Sequence, residues 1–597
     1  MAFNHVLTGD QFLGSTHATT TVTNWAIVDG GELSALDDGV VNSSTISSGG
    51  LVDIASHDPT SFAFGNATVV SSSGVELVGF NGIDTNAIIN NKGLQAVFGG
   101  GSAVAATVNF GGVQAVFSGG VTEGTTLKGI GALNATQFVF SGGVANDTVV
   151  SGQGVQVVGS GSFFSGGFSQ SNTFFISQGF SGGTANRTLV LGGGTQVVDS
   201  GGVTNDTILS GTNASLIANE FVREGGTANR TIVNKFSVLD NEGGATNSTT
   251  VNAGGTEIDS FFGSSTKTTV NAGGVQIVFS GGVAFSTDVK SGGVQVLEGP
   301  ATGFGIFDFV SGAGFASKTL VEGGGVEFVF GETVSTTVTG TPTASATMVV
   351  WSGGFADDTV INANGFEFVV GSSFDDVVNA GGTQQIVSGG SAGGTTINSG
   401  GVQTISNGTA SDDLVKLGGN IIVQAGGNEF FTDIFGAETV LAGGKTSSTD
   451  IHAGGVEVVS SGGNAINATI DGGLMVVRAG GSATITFDAD TGGTLQLAGQ
   501  NFTGNIAGFA SPPGVTEQID IVDVAFITGV TKVSFTEAAS NTSGTLTVTN
   551  GSQTANLTLL GFYTTANFSI KADAGGGTLV TDPMVGSATN PTLAAHT

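Results

Sequence analysis

The sequence predicts an all-β protein, a single-chain parallel β-solenoid (β-helix) of about 24 rungs that ends in a C-terminal β capping domain. A rung is one turn of the coil. Glycine provides 104 of the 597 residues, pairs of glycines recur every 19 residues, and the runs between them are rich in Val, Ile, Thr and Phe. These observations predict short strands joined by glycine corners, and we expect the coil to be right-handed.

The period is read from successive segments with the pattern Val-x-x-Gly-Gly. They begin at Val251, Val270 and Val289, so equivalent residues lie 19 positions apart. A second glycine pair, such as Gly281-Gly282, divides each repeat. Glycine at these positions indicates corners where the chain adopts φ values that other residues resist and where neighbouring rungs pass close together.

The runs between glycine pairs predict two strands in each repeat. The run 275–279 is typical, because β-branched residues and partial alternation favour a strand over a helix. A 19-residue repeat is too small to bury its own apolar face, so repeats must stack. The glycine pattern is irregular at residues 300–309 and 331–347.

Four segments follow from this pattern. Residues 1–19 are expected to form an N-terminal cap or assembly segment, and residues 20–493 the solenoid. Residues 494–583 replace the glycine pairs with a different pattern and are expected to form a capping and secretion module, because an open solenoid end exposes strand edges that pair freely. Residues 584–597 are the tail.

Charge and composition exclude several classes of protein. The chain has 14 Lys+Arg and 46 Asp+Glu, a net charge of −32, so we expect no nucleic-acid binding and no attraction to anionic membranes. It has no cysteine, no apolar run long enough to insert in a membrane, and no basic and apolar start typical of a cleaved signal. With 42 Phe but only 2 Trp and 1 Tyr, we expect the aromatic rings in the core.

A family resemblance rests on the repeats themselves. Residues 111–120 read Gly-Gly-Val-Gln-Ala-Val-Phe-Ser-Gly-Gly, and residues 142–150 read Gly-Gly-Val-Ala-Asn-Asp-Thr-Val-Val. This pattern resembles the passenger repeats of AIDA-type bacterial adhesins, over about four-fifths of the chain. The resemblance implies a cell-surface β-helix used in adhesion, autoaggregation and biofilm formation, with glycosylation on Ser and Thr. The C-terminal segment is similar to modules that end repeat proteins exported by type I systems.

A column of acidic residues is the candidate metal site. Pairs of carboxylates recur just before the second strand, at one or two periods, so their side chains are expected to stack on one edge where Ca²⁺ would relieve their repulsion. The alternative is that Asp and Asn favour turns and solvate the edge. The residues are Asp357, Asp358, Asp375, Asp376, Asp412 and Asp413.

Three other patterns have alternative interpretations. Asn-x-Thr sequons suggest glycosylation, but the repeat itself places Asn at a turn and Thr at the start of a strand. A Thr column suggests an ice-binding face. Arg187 and Arg230 share one repeat position, but the His residues are scattered along the chain, so these side chains do not converge on one active site. The sequons begin at Asn66, Asn134, Asn186, Asn205, Asn229 and Asn467, and the Thr column is Thr148, Thr188, Thr207, Thr231 and Thr359.

The sequence therefore predicts a secreted, non-enzymatic bacterial surface protein. We expect it to self-associate into a filament, matrix or surface layer and to mediate adhesion, aggregation or biofilm formation, with further copies of itself and cell-surface glycans or other cells as partners. The alternative is an extracellular lyase or hydrolase that acts on polysaccharides, which would need paired carboxylates in a cleft.

Overall fold

The computed structural model describes residues 5–13, 20–131, 133–159, 182–299, 312–510 and 514–582. It divides into two compact units, Met1–Thr319 (unit 1) and Leu320–Thr597 (unit 2). The predicted fold is confirmed: the chain is an all-β parallel β-solenoid of about 24 turns with a period near 19 residues, followed by a C-terminal mixed β region.

Most of the described rungs contain three strands, where the sequence predicts two. In one rung of unit 1 these are Ser264–Thr266, Thr269–Val270 and Val275–Val278. The first two strands belong to one sheet and the third to a second sheet. Two residues separate the first two strands, and the first of them has a positive φ, here Lys267 with φ 59°. This break was missed because the residue at that position carries no glycine signal.

In unit 1 every strand pairing between rungs is parallel among the described residues. The strands of the first sheet are His5–Leu7, Thr21–Thr23, Trp25–Ile27, Val40–Asn42, Thr45–Ile46, Ala63–Asn66, Val69–Val70, Gly82–Thr85, Ile88–Ile89, Ser102–Val104, Thr107–Asn109, Val121–Glu123, Thr126–Gly129, Val144–Asn146, Val149–Gly152, Thr184–Asn186, Leu189–Leu191, Val203–Asn205, Ile208–Ser210, Thr227–Asn229, Ile232–Val233, Ala245–Asn247, Thr250–Val251, Ser264–Thr266, Thr269–Val270, Val283–Phe285, Asp288–Val289 and Phe315–Ser317. The strands of the second sheet are Gln11–Leu13, Glu32–Ala35, Leu51–Ile54, Val75–Val78, Leu94–Val97, Val113–Val116, Ala135–Val139, Gly154–Val158, Thr195–Val198, Ala218–Arg223, Ser237–Glu242, Gly255–Ser260, Val275–Val278 and Val294–Leu297.

Unit 2 repeats this arrangement. The solenoid strands of its first sheet are Leu320–Glu322, Glu332–Val334, Thr337–Thr339, Phe355–Asp357, Val360–Ile361, Ser372–Phe374, Val377–Val378, Ser391–Gly393, Thr396–Ile397, Thr409–Ser411, Leu414–Val415, Asn428–Phe430, Asp433–Ile434, Lys445–Ser447, Asp450–His452, Asn464–Asp471, Ser482–Phe487 and Thr503–Ala507. Those of its second sheet are Val326–Val329, Ala346–Val350, Gly365–Val369, Thr383–Val387, Val402–Ser406, Asn420–Val423, Ala437–Val440, Val456–Val459, Leu474–Val477, Gly493–Leu497 and Glu517–Ile521.

Antiparallel pairing begins after Ile521, within the segment predicted as a cap. Lys532–Glu537, Ser543–Thr549 and Thr554–Leu560 form an antiparallel meander. Ser569–Ala572 and Thr578–Thr581 form a second antiparallel pair, and Thr578–Thr581 also pairs antiparallel with Glu517–Ile521. Two short 3₁₀ segments, Gly499–Asn501 and Thr565–Asn567, complete this region. Its capping and secretion roles stay predictions, and the tail lies outside the described residues.

Glycine is needed at the two positions of each pair for the two reasons that the sequence predicts. Gly273 has a φ of 73°, a left-handed conformation that glycine adopts without steric cost. A Cβ atom added at Gly274 would lie 2.5 Å from the carbonyl oxygen of Val251 in the preceding rung. The first glycine of the pair therefore makes the turn, and the second lets two rungs approach.

Residues 331–347, where the glycine pattern is irregular, still contribute strands to the solenoid. They include Glu332–Val334 and Thr337–Thr339, which pair in parallel with neighbouring strands. Strand pairing therefore continues without the glycine pairs, because it needs only the alternation of inward and outward side chains. Residues 300–309 lie outside the described residues.

The expectation that phenylalanines fill the core is wrong for the solenoid. Its interior holds short side chains such as Val270, Val289 and Ile361, each fully buried. Two narrow sheets leave little room for a ring in every rung. Phe487, Phe509 and Phe568 are buried together near the C-terminal region. Exposed rings include Phe62, Phe64, Phe80, Phe110, Phe261, Phe262, Phe279, Phe285, Phe330, Phe374, Phe430, Phe431, Phe435 and Phe562.

Among the described residues, no helix has the length and apolar character that a membrane span requires.

Candidate functional surfaces and the polar interior

The residues with positive φ between the first and second strands form a column, which we call the left-handed corner. Their backbone N–H groups donate to the next rung, as from Lys267 to the carbonyl of Phe285 and from Asp358 to that of Phe374. The conformation is rare for residues other than glycine, but here it aligns the N–H with a neighbouring carbonyl. Side chains on this corner point away from the interior, and Lys267 and Asp358 are exposed.

The six predicted metal-binding carboxylates do not lie on one edge. Asp358, Asp375 and Asp412 lie on the left-handed corner and are exposed. Asp376 and Asp413 each follow a corner residue, so their side chains point into the solenoid and are 0% and 1% exposed. The expectation of a single column is therefore wrong for these two. The physical reason is that consecutive residues on either side of the corner face opposite ways.

Asp358 and Asp375, which are exposed, and Asp357, which is partly buried, form the exposed acidic group. Partial burial raises the pKa of Asp357, and the neighbouring carboxylates of Asp358 and Asp375 raise it further. Asp412 lies two rungs beyond Asp375, with Gly394 between them. Among the described residues, no group of three or more His, Asp or Glu side chains has a metal-binding arrangement. Calcium bridging at this corner stays a prediction.

Unit 1 carries ion pairs on the same corner. Arg187 donates to both carboxylate oxygens of Asp147 at 2.7 Å, and Arg230 donates to both oxygens of Asp206 at 2.6 and 2.9 Å. These pairs are exposed, so their contribution to stability is small. The two arginines share one column as the sequence indicates, but each binds a structural partner.

Asparagines form a second ladder beside the corner. The amide of each donates to the carbonyl oxygen of the asparagine one rung earlier, at 2.9 Å from Asn186 to Asn146 and from Asn205 to Asn186. The same contact joins Asn229 to Asn205 and Asn247 to Asn229 at 3.1 Å. The sequon asparagines of these rungs are therefore engaged in a structural ladder.

The threonines of these sequons face the interior. Thr188, Thr207 and Thr231 are at most 1% exposed. Thr148 and Thr359, in the same column, are fully buried. This column therefore cannot present itself to ice, and a glycosylating enzyme could not reach these threonines in the folded chain.

Glutamines form a continuous ladder inside unit 1, which the sequence analysis missed. Gln114, Gln137, Gln156 and Gln196 each donate an amide N–H to the preceding glutamine oxygen at 2.7 Å. The same oxygens accept from buried threonine hydroxyls, as Gln156 does from Thr188 at 3.0 Å. The repeated Gly-Gly-Val-Gln could have indicated this ladder, because a polar residue at an inward strand position needs a buried partner.

Each ladder begins at a glutamate. Gln95 donates to Glu76 at 2.9 Å, Gln276 to Glu257 at 3.2 Å, and Gln384 to Glu367 at 3.0 Å. The residues one rung below these glutamates are Val52, Leu239 and Met348, which cannot accept a hydrogen bond. A glutamine there would bury an amide donor without an acceptor, whereas a carboxyl group supplies acceptors alone.

One stretch of the interior of unit 2 contains a cluster of carboxyl groups. Glu429, Glu438, Glu457 and Asp413 are buried, and neither oxygen of Glu429 or Glu438 has a hydrogen-bond partner. Burial raises the pKa of Glu429 and of Glu438 well above the ordinary value, and the nearby carboxylates add to the shift. Burial raises the pKa of Glu457 and Asp413 to about 7.

His452 is the histidine with the richest contacts in the described chain. Its ring stacks on Phe435 at 4.3 Å, Nδ1 lies 2.6 Å from Asp471 and Nε2 lies 3.0 Å from Asp433. Partial burial lowers the pKa of His452, but the hydrogen bonds to Asp433 and Asp471 outweigh it, so the pKa is raised. Because the two ring nitrogens of His452 contact carboxylates in the rungs on either side, these contacts link three rungs.

Comparison with known proteins gives little beyond the fold. No protein-family model matches the chain, and no curated protein matches it. A solved structure of a TibC-catalysed hyper-glycosylated TibA fragment is 28% identical, with a TM-score of 0.37, and the match covers 57% of this chain and 96% of that one. ORF18 of Geobacillus virus E2 is 9% identical, with a TM-score of 0.10, over 70% and 74% of the two chains. These TM-scores are too low to support a statement about function, so the resemblance to AIDA-type adhesins stays a prediction from the repeats.

Proposed function

We propose that this protein is a non-enzymatic bacterial surface protein that acts outside the cell by adhesion and self-association. The observation that carries the proposal is that its distinctive side chains are repeated along the outside of the solenoid. Phe261, Phe262 and Phe431 are 66%, 69% and 62% exposed, and charged and amide columns recur rung after rung. Many weak contacts of this kind become useful through avidity.

The polar residues inside the solenoid support the same proposal. Buried carboxyls commonly mark catalytic sites, but Glu429, Glu438 and Asp413 lie in a closed interior. The exposed group of Asp357, Asp358 and Asp375 has no arginine or lysine in ion-pair contact among the described residues. A polysaccharide lyase would need such a cation to stabilise an anion, so the enzyme alternative is the weaker one.

The test is electron microscopy of the native protein on its cells and of the purified full chain, each with and without a chelator. We expect assemblies of many copies, and coated beads that clump where beads coated with the heat-denatured chain do not. Single dispersed copies under all conditions would contradict self-association. Release of reducing ends or unsaturated sugars from polysaccharides would instead favour the enzyme alternative.

A further inference from the structure

Cations are scarce in this chain, at 14 in 597 residues, yet from Arg187 to Lys318 the left-handed corner carries one at every second rung. Arg187 and Arg230 are neutralised by Asp147 and Asp206. Lys267 and Lys318 are exposed and have no ion-pair partner among the described residues. Ser286 lies in the rung between these two lysines. We call Lys267 and Lys318 the basic corner.

The left-handed corner of unit 2 carries the opposite charge. Asp358, Asp375 and Asp412 are exposed, and none of them is in an ion pair among the described residues. A Cβ atom added at Gly394 would lie 2.5 Å from a carboxylate oxygen of Asp375, so this side chain extends over the rung that separates it from Asp412. We call Asp375 and Asp412 the acidic corner.

The two corners have the same spacing within their own units. Lys267 and Lys318 are two rungs apart with Ser286 between them, and Asp375 and Asp412 are two rungs apart with Gly394 between them. Two rungs correspond to about 10 Å, because neighbouring strands lie about 4.8 Å apart. The residue between is small in each case and would not obstruct a partner.

We propose that the basic corner of one copy docks on the acidic corner of a second copy, with Lys267 and Lys318 facing Asp375 and Asp412. This inference rests on the self-association proposed above and names the surface through which it occurs. If the contact is reciprocated within a pair, the assembly closes as a dimer, and if it is not, copies add one after another.

A second copy fits these corners better than another acidic partner. Two chains of net charge −32 repel each other over most of their surfaces, and a contact between a basic and an acidic surface is one that attracts. A second solenoid also repeats at the same axial spacing, so two ion pairs form in register. A metal ion would satisfy the acidic corner alone and would leave the lysines unused.

Charge exchange in the full chain tests the proposal. One variant carries Lys267→Glu and Lys318→Glu, and the other carries Asp375→Lys and Asp412→Lys. Lysine already occupies the left-handed corner with φ of 59° and 58° at positions 267 and 318, so the second variant suits the backbone. Lys92→Glu with Lys128→Glu is the control, because it makes the same charge change at exposed positions elsewhere in unit 1.

Association is measured by analytical ultracentrifugation at low and high salt, with circular dichroism to verify folding. We expect each variant alone to associate at least about tenfold more weakly than the wild type, the control to be unchanged, and an equal mixture of the two variants to regain association. High salt should weaken the wild-type contact.

The outcomes separate the surface from the function. Unchanged association of either variant, or a mixture that does not regain it, would overturn this surface while leaving self-association intact. A wild-type chain that stays monomeric at low salt would overturn both proposals. Association that a chelator abolishes and that charge exchange leaves unchanged would assign the acidic corner to calcium.

Discussion

Two stretches of the interior, one in each unit, bury polar side chains in different ways. In unit 1, amide side chains from Gln114 to Gln196 both donate and accept, so each rung satisfies the next at 2.7 Å. In unit 2, the buried side-chain oxygens of Glu429 and Glu438 have no hydrogen-bond partner. A carboxylate can only accept hydrogen bonds. Two neighbouring carboxylates therefore cannot bond to each other unless a proton is shared between them or each is protonated. One solenoid interior can therefore be insensitive to pH in one stretch and sensitive to pH in another.

The largest expected effect comes from placing a carboxylate in the amide ladder. Gln137 donates to Gln114 at 2.7 Å and to Thr122 at 3.1 Å, so Gln137→Glu would oppose acceptor to acceptor. We expect the free energy of local opening of the strand Ala135–Val139 to fall by about 4 kcal/mol at neutral pH, because an uncompensated charge is buried.

Hydrogen exchange of the full chain measures that opening. The control is Thr136→Glu, on the outward side of the same strand, which should change the opening free energy by no more than about 0.5 kcal/mol. Equal exchange in the two variants would show that the ladder is not what stabilises this strand.

The next effect is the pH dependence of unit 2. The pKa of Asp413 and of Glu457 is raised to about 7 in the folded chain, so the neutral forms stabilise the fold. Their contribution is complete below about pH 4 and is lost as the pH rises through about 7. Between about pH 5 and about pH 8 we expect the local opening free energy of strands in residues 414–459 to fall by on the order of 3 kcal/mol.

Hydrogen exchange across this pH range, corrected for intrinsic rates, tests the sign. Strands from Val113–Val116 to Thr195–Val198 serve as the internal control, since amides and hydroxyls line their interior. A parallel fall in both stretches, or a rise in unit 2, would contradict the neutral carboxyl groups.

Replacing one buried carboxyl group of unit 2 by an amide should make the stability of that stretch less dependent on pH, as in the glutamine ladder of unit 1. Glu438→Gln removes a buried carboxyl whose oxygens have no partner, so at about pH 8 we expect local stability to rise by about 2 kcal/mol and the pH dependence to become shallower. Glu332→Gln, at an exposed position, should leave both quantities unchanged. A loss of stability in Glu438→Gln would mean that the carboxylate has a bound partner.

The smallest effect is expected on the exterior surface of unit 1. Arg187→Ala removes an exposed ion pair with Asp147, and water and salt screen such pairs. We therefore expect no change in local hydrogen exchange, at low salt or high. A clear increase in exchange would show that the exterior charge ladder stabilises the solenoid as the interior ladder does.

Much of the fold is predictable because the repeat is dense. The spacing of Val251, Val270 and Val289 sets the period, and the glycine pair Gly273-Gly274 marks a corner through backbone sterics alone. The break between the first and second strands of a rung was not predictable, because it is made by a left-handed residue such as Lys267, which no composition rule marks. The prediction that the phenylalanine rings lie in the core was wrong because hydrophobicity does not indicate how much space a rung has in its interior.

The candidate site was predicted only in part, for a similar reason. The sequence places carboxylates such as Asp375 and Asp376 side by side at the right period, but the corner between them sends one outward and one inward. Likewise, the repeat places Arg187 and Arg230 in one column, but it does not reveal their ion-pair partners. Asp147 and Asp206 each lie one rung away and are 40 and 24 residues earlier in the chain.

The sequence by itself determined that this chain is a β-solenoid, because a 19-residue repeat with glycine corners can bury its apolar face only by stacking on its neighbours. Tertiary structure decided which way each side chain faces and what it meets. Glu and Gln differ by one group and occupy the same position in a rung, and a glutamate begins a glutamine ladder where the residue one rung below, such as Val52 or Leu239, cannot accept a hydrogen bond.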